Sequence, residues 1–306
     1  MTLHVVPVGT SLLQKLNDGV VNGRVKHALL AQALAGELSA ATNEHGVLDL
    51  AAALTSDQEL SAEILDLLRD AQASGCAEWS GLAKSGVEGV GDDAMVFVAS
   101  DTNDGLRAAM LVAARYAHRD GVAVRYVHDP ATGLPSVLRQ RQILVVRVPR
   151  LNLAPDAVNR PNENTWGSLG KLGAVLAHTA SQRNLDVVFH LSGGYKALLP
   201  HLLVVAEGVQ SVLVERRRDP TVRVRASCLY ERGEEPVPLP IRWLTGRPLR
   251  LTHRMAYAAG ANGELDTDEF DDLTGSYLDG DDSRPRKLTP AGLIITRTLW
   301  TLGDPR

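Results

Sequence analysis

The chain has 306 residues, 44% of them hydrophobic and 22% charged, with a net charge of −4. That length supports a large core without covalent staples, and that composition excludes a disordered chain. The weak net charge argues against a wholesale nucleic-acid coat, and no apolar run is read as long enough to cross a bilayer.

Leu3 to Pro7 is a short apolar, β-branched run, and helical spacing resumes at Leu12 after the turn Val8-Gly9-Thr10-Ser11. This start lacks a basic leader, so a cytoplasmic location is expected. Val25 to Ala41 reads as a helix, and Ser56 with Glu59 reads as a capping box opening another through about Ala73. Met95 to Ala99 has the continuous apolar character of a strand buried on both faces, and it ends in Ser100-Asp101-Thr102-Asn103-Asp104-Gly105. A helix is predicted from Leu106 to Ala117, with strands at Val122 to Val127 and Ile143 to Val148. Asn152 to Thr165 reads as a long loop and Trp166 to Ala180 as a helix.

Val187 to Leu191 is a further strand, followed by Ser192-Gly193-Gly194-Tyr195 and a helix from Lys196 or Ala197 to about Glu207. His190 inside this strand reads as a satisfied core histidine. Val222 to Tyr230 alternates like a strand, and a proline-spaced segment leads to Trp243. The alternation of strands and helices predicts an α/β fold, a Rossmann-like and mostly parallel sheet with helices on both faces.

A boundary is placed near residue 244, dividing the chain into 1–244 and 245–306. The second part carries a predicted helix at Thr267 to Leu278 and a predicted strand at Leu293 to Leu299, which suggests a small winged-helix-like segment. Residues 264–287 hold nine acidic and three basic side chains, so the remainder carries +2. That distribution suits a discrete anion pocket and makes DNA or RNA binding by the acidic segment an unfavoured reading. Cys76 and Cys228 have no metal-ligand spacing and read as buried thiols; no metal and no cofactor is expected.

Three turns carry the chemistry: Gly9-Thr10-Ser11, Ser100 to Gly105, and Ser192 to Lys196. In an open α/β sheet such turns lie beyond the carboxyl ends of the strands, where helix N-termini present backbone N–H groups to anions. Their hydroxyls serve equally well as helix caps. Lys196 is the sharper clue, because a cation in a first helical turn opposes the helix dipole by roughly 0.3–1 kcal/mol unless an anion lies nearby. Neither G-x-G-x-x-G nor a P-loop string is present.

At these turns the sequence resembles the CARF family, the CRISPR-associated Rossmann-fold domains that sense cyclic oligoadenylate in type III antiviral immunity. The strings are His4-Val5-Val6-Pro7-Val8-Gly9-Thr10-Ser11-Leu12-Leu13, Leu60-Ser61-Ala62-Glu63-Ile64, Ala99 to Gly105, Leu191 to Ala197 and Cys228-Leu229-Tyr230-Glu231. Their order is most similar to the subgroup containing CRISPR ring nucleases. The resemblance implies a homodimer with the ring on its two-fold axis. It implies binding by Gly9, Thr10, Ser11, Ser100, Asp101, Thr102, Asn103, Ser192, Gly193, Gly194, Tyr195 and Lys196, with Ser11 and Lys196 in the cleaving role. Ring opening by a ribose 2′-hydroxyl needs only positioning and charge stabilisation from the protein. A non-catalytic sensor of the same ligand is the alternative, and an ordinary nucleotide-metabolising Rossmann enzyme is a third.

Overall fold

The structure, a computed structural model, describes residues 1–17, 28–35, 44–70, 76–117, 121–151, 162–194, 196–217, 223–229, 233–259, 264–265, 267–279 and 285–303. Its strands are β1 (Thr2–Pro7), β2 (Ala94–Ala99), β3 (Ala123–Val127), β4 (Gln142–Arg147), β5 (Asp186–His190), β6 (Val224–Cys228) and β7 (Val237–Leu239). They form one sheet in the order β3-β4-β2-β1-β5-β6-β7. Every neighbouring pair is parallel except β6 and β7. All six residues of β2 are buried, as expected of a central strand covered on both faces.

The two-residue period of the strands divides the core. Val6, Met95, Phe97 and Val145 face one layer of helices: α1 (Ser11–Asn17), α2 (Ala28–Ala35), α3 (Glu44–Ser56), α4 (Gln58–Asp70), α5 (Ala77–Lys84) and α6 (Asn103–Ala117). Leu3, Val5, Val96, Val98 and Phe189 face the other layer, formed by α8 (Glu163–Arg183), α9 (Leu199–Arg217) and α11 (Pro290–Leu299). A short α7 (Pro130–Gly133) and α10 (Gly246–Ala258) complete the helices named here. The connections leaving β1 and β2 therefore lie on one face, and those leaving β4 and β5 on the other. The winding reverses between adjacent β1 and β5, where such sheets open a crevice at the carboxyl ends of their strands.

Several sequence expectations change. Helices α3 and α5 fall in stretches to which the sequence reading assigned nothing. Ser56 is not a cap: its hydroxyl donates to the Ala52 carbonyl at 3.0 Å and closes α3. Asp57 opens α4 instead, accepting from the Leu60 amide at 2.9 Å. Helix α8 begins at Glu163 rather than Trp166, because Asn162 caps it and Thr165 returns the bond to the Asn162 amide. Of the predicted helix at 25–41, residues 28–35 are helical and the flanks lie outside the described residues. Residues 152–161 of the predicted long loop lie outside them as well.

The C-terminal expectations need the largest corrections. Leu293 to Leu299 is helix, not strand. Thr289 caps it by accepting from the Gly292 amide at 3.0 Å, Pro290 takes its first turn, and its Ile294, Ile295 and Leu299 side chains are fully buried in the main core. Thr267 to Leu278 is not a continuous helix. Only a 3₁₀ stretch at Asp268–Leu273 forms, capped by Thr267, since four acidic side chains in six residues repel and Gly275 follows at positive φ. A two-residue ribbon, β8 (Glu264–Leu265) with β9 (Arg286–Lys287), lies beside it.

Residues 196–216, spanning α9 and the 3₁₀ turn before it, form an apolar helical segment long enough to cross a membrane, contrary to expectation. Packing against α8, α11 and β6 makes it a core helix here.

Candidate functional site at the β1–β5 crevice

Because β2, β1 and β5 are adjacent and parallel, the three anticipated turns emerge at one edge of the sheet. Beyond β1, the Val8 amide still donates to Val98 at 2.9 Å, and beyond β5 the Leu191 amide donates to Ser227 at 2.7 Å. The next residues on each side meet. A β-carbon on Gly9 would lie 3.2 Å from the Gly194 Cα, and one on Gly194, whose φ is +94°, would lie 2.6 Å from the Pro7 Cβ. Gly194 therefore requires glycine, for close approach and for its backbone conformation, while a side chain at Gly9 would need the facing turn to shift by a few tenths of an ångström. Gly194→Ala is expected to lower stability by about 2 kcal/mol, read as a reduced urea midpoint. An unchanged midpoint would mean that the turn adopts another conformation.

Between the turns sits a residue the sequence reading missed. Glu78, in the first turn of α5, is only 2% exposed. Its Oε1 accepts from the Gly9 amide at 2.8 Å and the Gly194 amide at 3.2 Å, while Oε2 accepts from the Ser11 hydroxyl at 3.2 Å. A β-carbon on Gly193 would lie 2.5 Å from Oε1. The chain thus supplies its own carboxylate to the crevice where a ligand phosphate was expected. Charge-assisted bonds to backbone amides make such a buried carboxylate tolerable. Burial first, and the Glu78 charge next, push the neighbouring Cys76 thiol up to about 12, leaving it inert. Cys228 is only half-buried, unlike the buried thiol anticipated.

The other anticipated residues have definite partners. Ser192 accepts from the Leu229 amide at 2.9 Å, so its hydroxyl ties the β5 turn to the end of β6. Ser100 lies 3.0 Å from the Thr102 hydroxyl, and Thr102 caps α6 by accepting from the Gly105 amide at 3.0 Å. Asp101 accepts from Arg147 at 2.6 Å and from the Arg150 amide at 2.6 Å. Arg147 also reaches His128 at 2.9 Å. Thr10, Asn103 and Lys196 are exposed, with Lys196 in the 3₁₀ turn that leads into α9. Tyr195 lies outside the described residues.

The structure therefore brings the Gly9 to Ser11 and Ser192 to Gly194 groups together directly, through Glu78, and places the Ser100 group one strand away. Glu78 had no local signal, since its partners lie 67, 69 and 116 residues away in sequence. His190, anticipated as a satisfied core histidine, is 2% exposed but has an unpartnered Nδ1. Among the described residues, no group of three or more His, Cys, Asp or Glu side chains is placed to hold a metal ion. No protein-family model matches the chain, and no curated protein matches it.

Proposed function

We propose that this protein is a homodimeric receptor for cyclic oligoadenylate, with the tetra-adenylate ring as the preferred size, acting in type III CRISPR antiviral signalling. We further propose that it opens the ring without metal. The observation that carries this reading is the emergence of three hydroxyl- and glycine-rich turns from adjacent strands β2, β1 and β5 at the point where the winding reverses. In the proposed step the ribose 2′-oxygen bonds to its adjacent phosphorus as the bond to the 5′-oxygen breaks. The 2′-hydroxyl gives its proton to solvent and the leaving 5′-oxygen takes one up, which leaves a 2′,3′-cyclic phosphate and a 5′-hydroxyl. Exposed Lys196 is suited to the charge on the phosphorane. The Ser11 hydroxyl donates to Glu78, which leaves its lone pairs free to accept from the ribose.

Glu78 also favours a second reading, recognition without cleavage. Its carboxylate already engages the Gly9 and Gly194 amides, so ring phosphates would meet Thr10, Asn103 and Lys196 instead. Occupancy could then be passed through α9, which follows Lys196 and packs against α11. A role for residues 245–306 as an output to a partner belongs to this reading.

Incubation with cyclic tri-, tetra- and hexa-adenylate in EDTA, followed by chromatography, separates the two. Linear products that fall at least 100-fold with Lys196→Ala, about the contribution of one charge-stabilising group, and fall also with Ser11→Ala support ring opening. Binding without products supports the sensor. If no cyclic oligoadenylate binds, both readings fail.

A further inference from the structure

A second site lies on the sheet face that α5 leaves open. A cleft of about 590 Å³ is floored by β1, β5, β6 and β7, with the 85–89 loop after α5 as its opposite wall. That volume is in the range of small-molecule sites. Its lining includes His4, His190, Arg225, Ser227 and Trp243. Trp243 is 53% exposed, which leaves its indole open to a ligand in the cleft.

At the cleft floor two buried histidines and a half-buried carboxylate form a line. His4 Nε2 lies 3.2 Å from Asp93 Oδ2, and His4 Nδ1 lies 3.0 Å from His190 Nε2. Burial alone would raise the Asp93 carboxyl, but hydrogen bonds from His4 and the Thr2 amide outweigh it and hold the carboxyl below its ordinary range. Asp93 is therefore an acceptor, which fixes a proton on His4 Nε2. In the neutral pair, His4 Nδ1 then accepts from His190 Nε2–H. That leaves a bare lone pair on His190 Nδ1, the buried atom without a partner. An orphaned buried acceptor beside a cleft costs on the order of 1–3 kcal/mol, which a donor group regains by binding there.

We propose that this cleft binds a small planar anion bearing an N–H or O–H donor. The donor bonds His190 Nδ1, the ring lies against Trp243, and the anionic group meets the Arg225 guanidinium. Arg225 is available because its pairing with Asp186, at 3.4 Å, is long and its side chain is 59% exposed. Burial keeps His190 neutral down to about pH 3, so one of its ring nitrogens stays an acceptor. The site is separate from Ser11 and Lys196, and it stands whether or not a cyclic oligoadenylate binds.

The test uses the full chain labelled with ¹⁵N-histidine and two probes, 4-hydroxybenzoate and benzoate, which differ in the donor. The expected result is movement of the His190 nitrogen resonance by 4-hydroxybenzoate, with at least ~5-fold tighter binding than benzoate, the worth of one neutral hydrogen bond. His190→Phe should abolish that preference. Trp243→Ala, at an exposed position that leaves the fold intact, should weaken both probes. Equal affinity for the two probes, no binding of 4-hydroxybenzoate at ~10 mM, or a preference that survives His190→Phe overturns the proposal. A His190 resonance that neither probe moves assigns the orphan nitrogen to a buried water only.

Discussion

Glu78→Ala is expected to lower the thermal midpoint by roughly 6 to 15 °C, the equivalent of about 3–5 kcal/mol. The carboxylate takes two backbone amides and one hydroxyl from turns that end different strands. Removing it leaves the Gly9 and Gly194 amides without their acceptor, and each unpaired buried donor costs on the order of 1–3 kcal/mol. A cavity opens as well, because the side chain is 2% exposed. Glu78→Gln is the informative companion. Its carbonyl oxygen can keep both amide bonds, so most of the stability should survive. Its NH₂ group faces Ser11 and forces that hydroxyl to accept, freeing the serine proton to point outward. Calorimetry of the three proteins checks the stability order. A Glu78→Ala midpoint within about 2 °C of the wild type, near 1 kcal/mol for a chain of this size, would show that the carboxylate does not hold the crevice. Under the proposed function, the same variant exposes two amides to ring phosphates, so its affinity for cyclic tetra-adenylate should rise rather than fall.

The centre of the sheet was readable from the sequence because its strands are almost wholly buried. Met95 to Ala99 and Val187 to Leu191 have no polar alternation to confuse them, and the observed β2 and β5 begin one residue earlier. The turns were readable because glycine, serine and threonine cluster where a strand hands over to a helix. What failed depended on distant partners. Helix α5 carries Trp79, Ser80 and Gly81, and its polar Glu78 is buried by turns far away in sequence. Leu293 to Thr296 has the β-branched character of a strand, yet a Thr-Pro cap and burial against α8 and α9 make it helical. The capping-box reading at Ser56 failed by one residue, with Asp57 winning because a carboxylate is an equally good cap. Asp101 illustrates a different limit. The resemblance implies a ligand contact there, and the structure adds a partner that no local pattern announces, Arg147, 46 residues on.

Acid should destabilise this protein well above the usual carboxylate range, and His190 supplies the reason. Burial first, then the charges of His4 and Arg225, lower its pKa from 6.5 to about 3. In the unfolded chain the imidazole takes up a proton near pH 6.5, whereas the folded chain refuses it. Because the folded-state pKa is depressed, stability is intact above about pH 6.5 and declines as pH falls towards about 3. The slope approaches ~1.4 kcal/mol per pH unit for the one proton, reaching about 3 kcal/mol by pH 4. Asp93, also held low, begins to add its own loss at about pH 5, a unit above its ordinary pKa of 3.8, so the window between about pH 6.5 and 5 isolates the histidine of this pair. Urea midpoints measured across that window should fall steeply in the wild type. In His190→Phe the starting stability is lower, since His4 Nδ1 loses its partner, but the pH slope contributed by this residue disappears. The slope rather than the level is therefore the diagnostic. An identical slope in the two proteins would mean that His190 is protonated in the fold, and the acceptor placed on the cleft floor would have to be read as a donor.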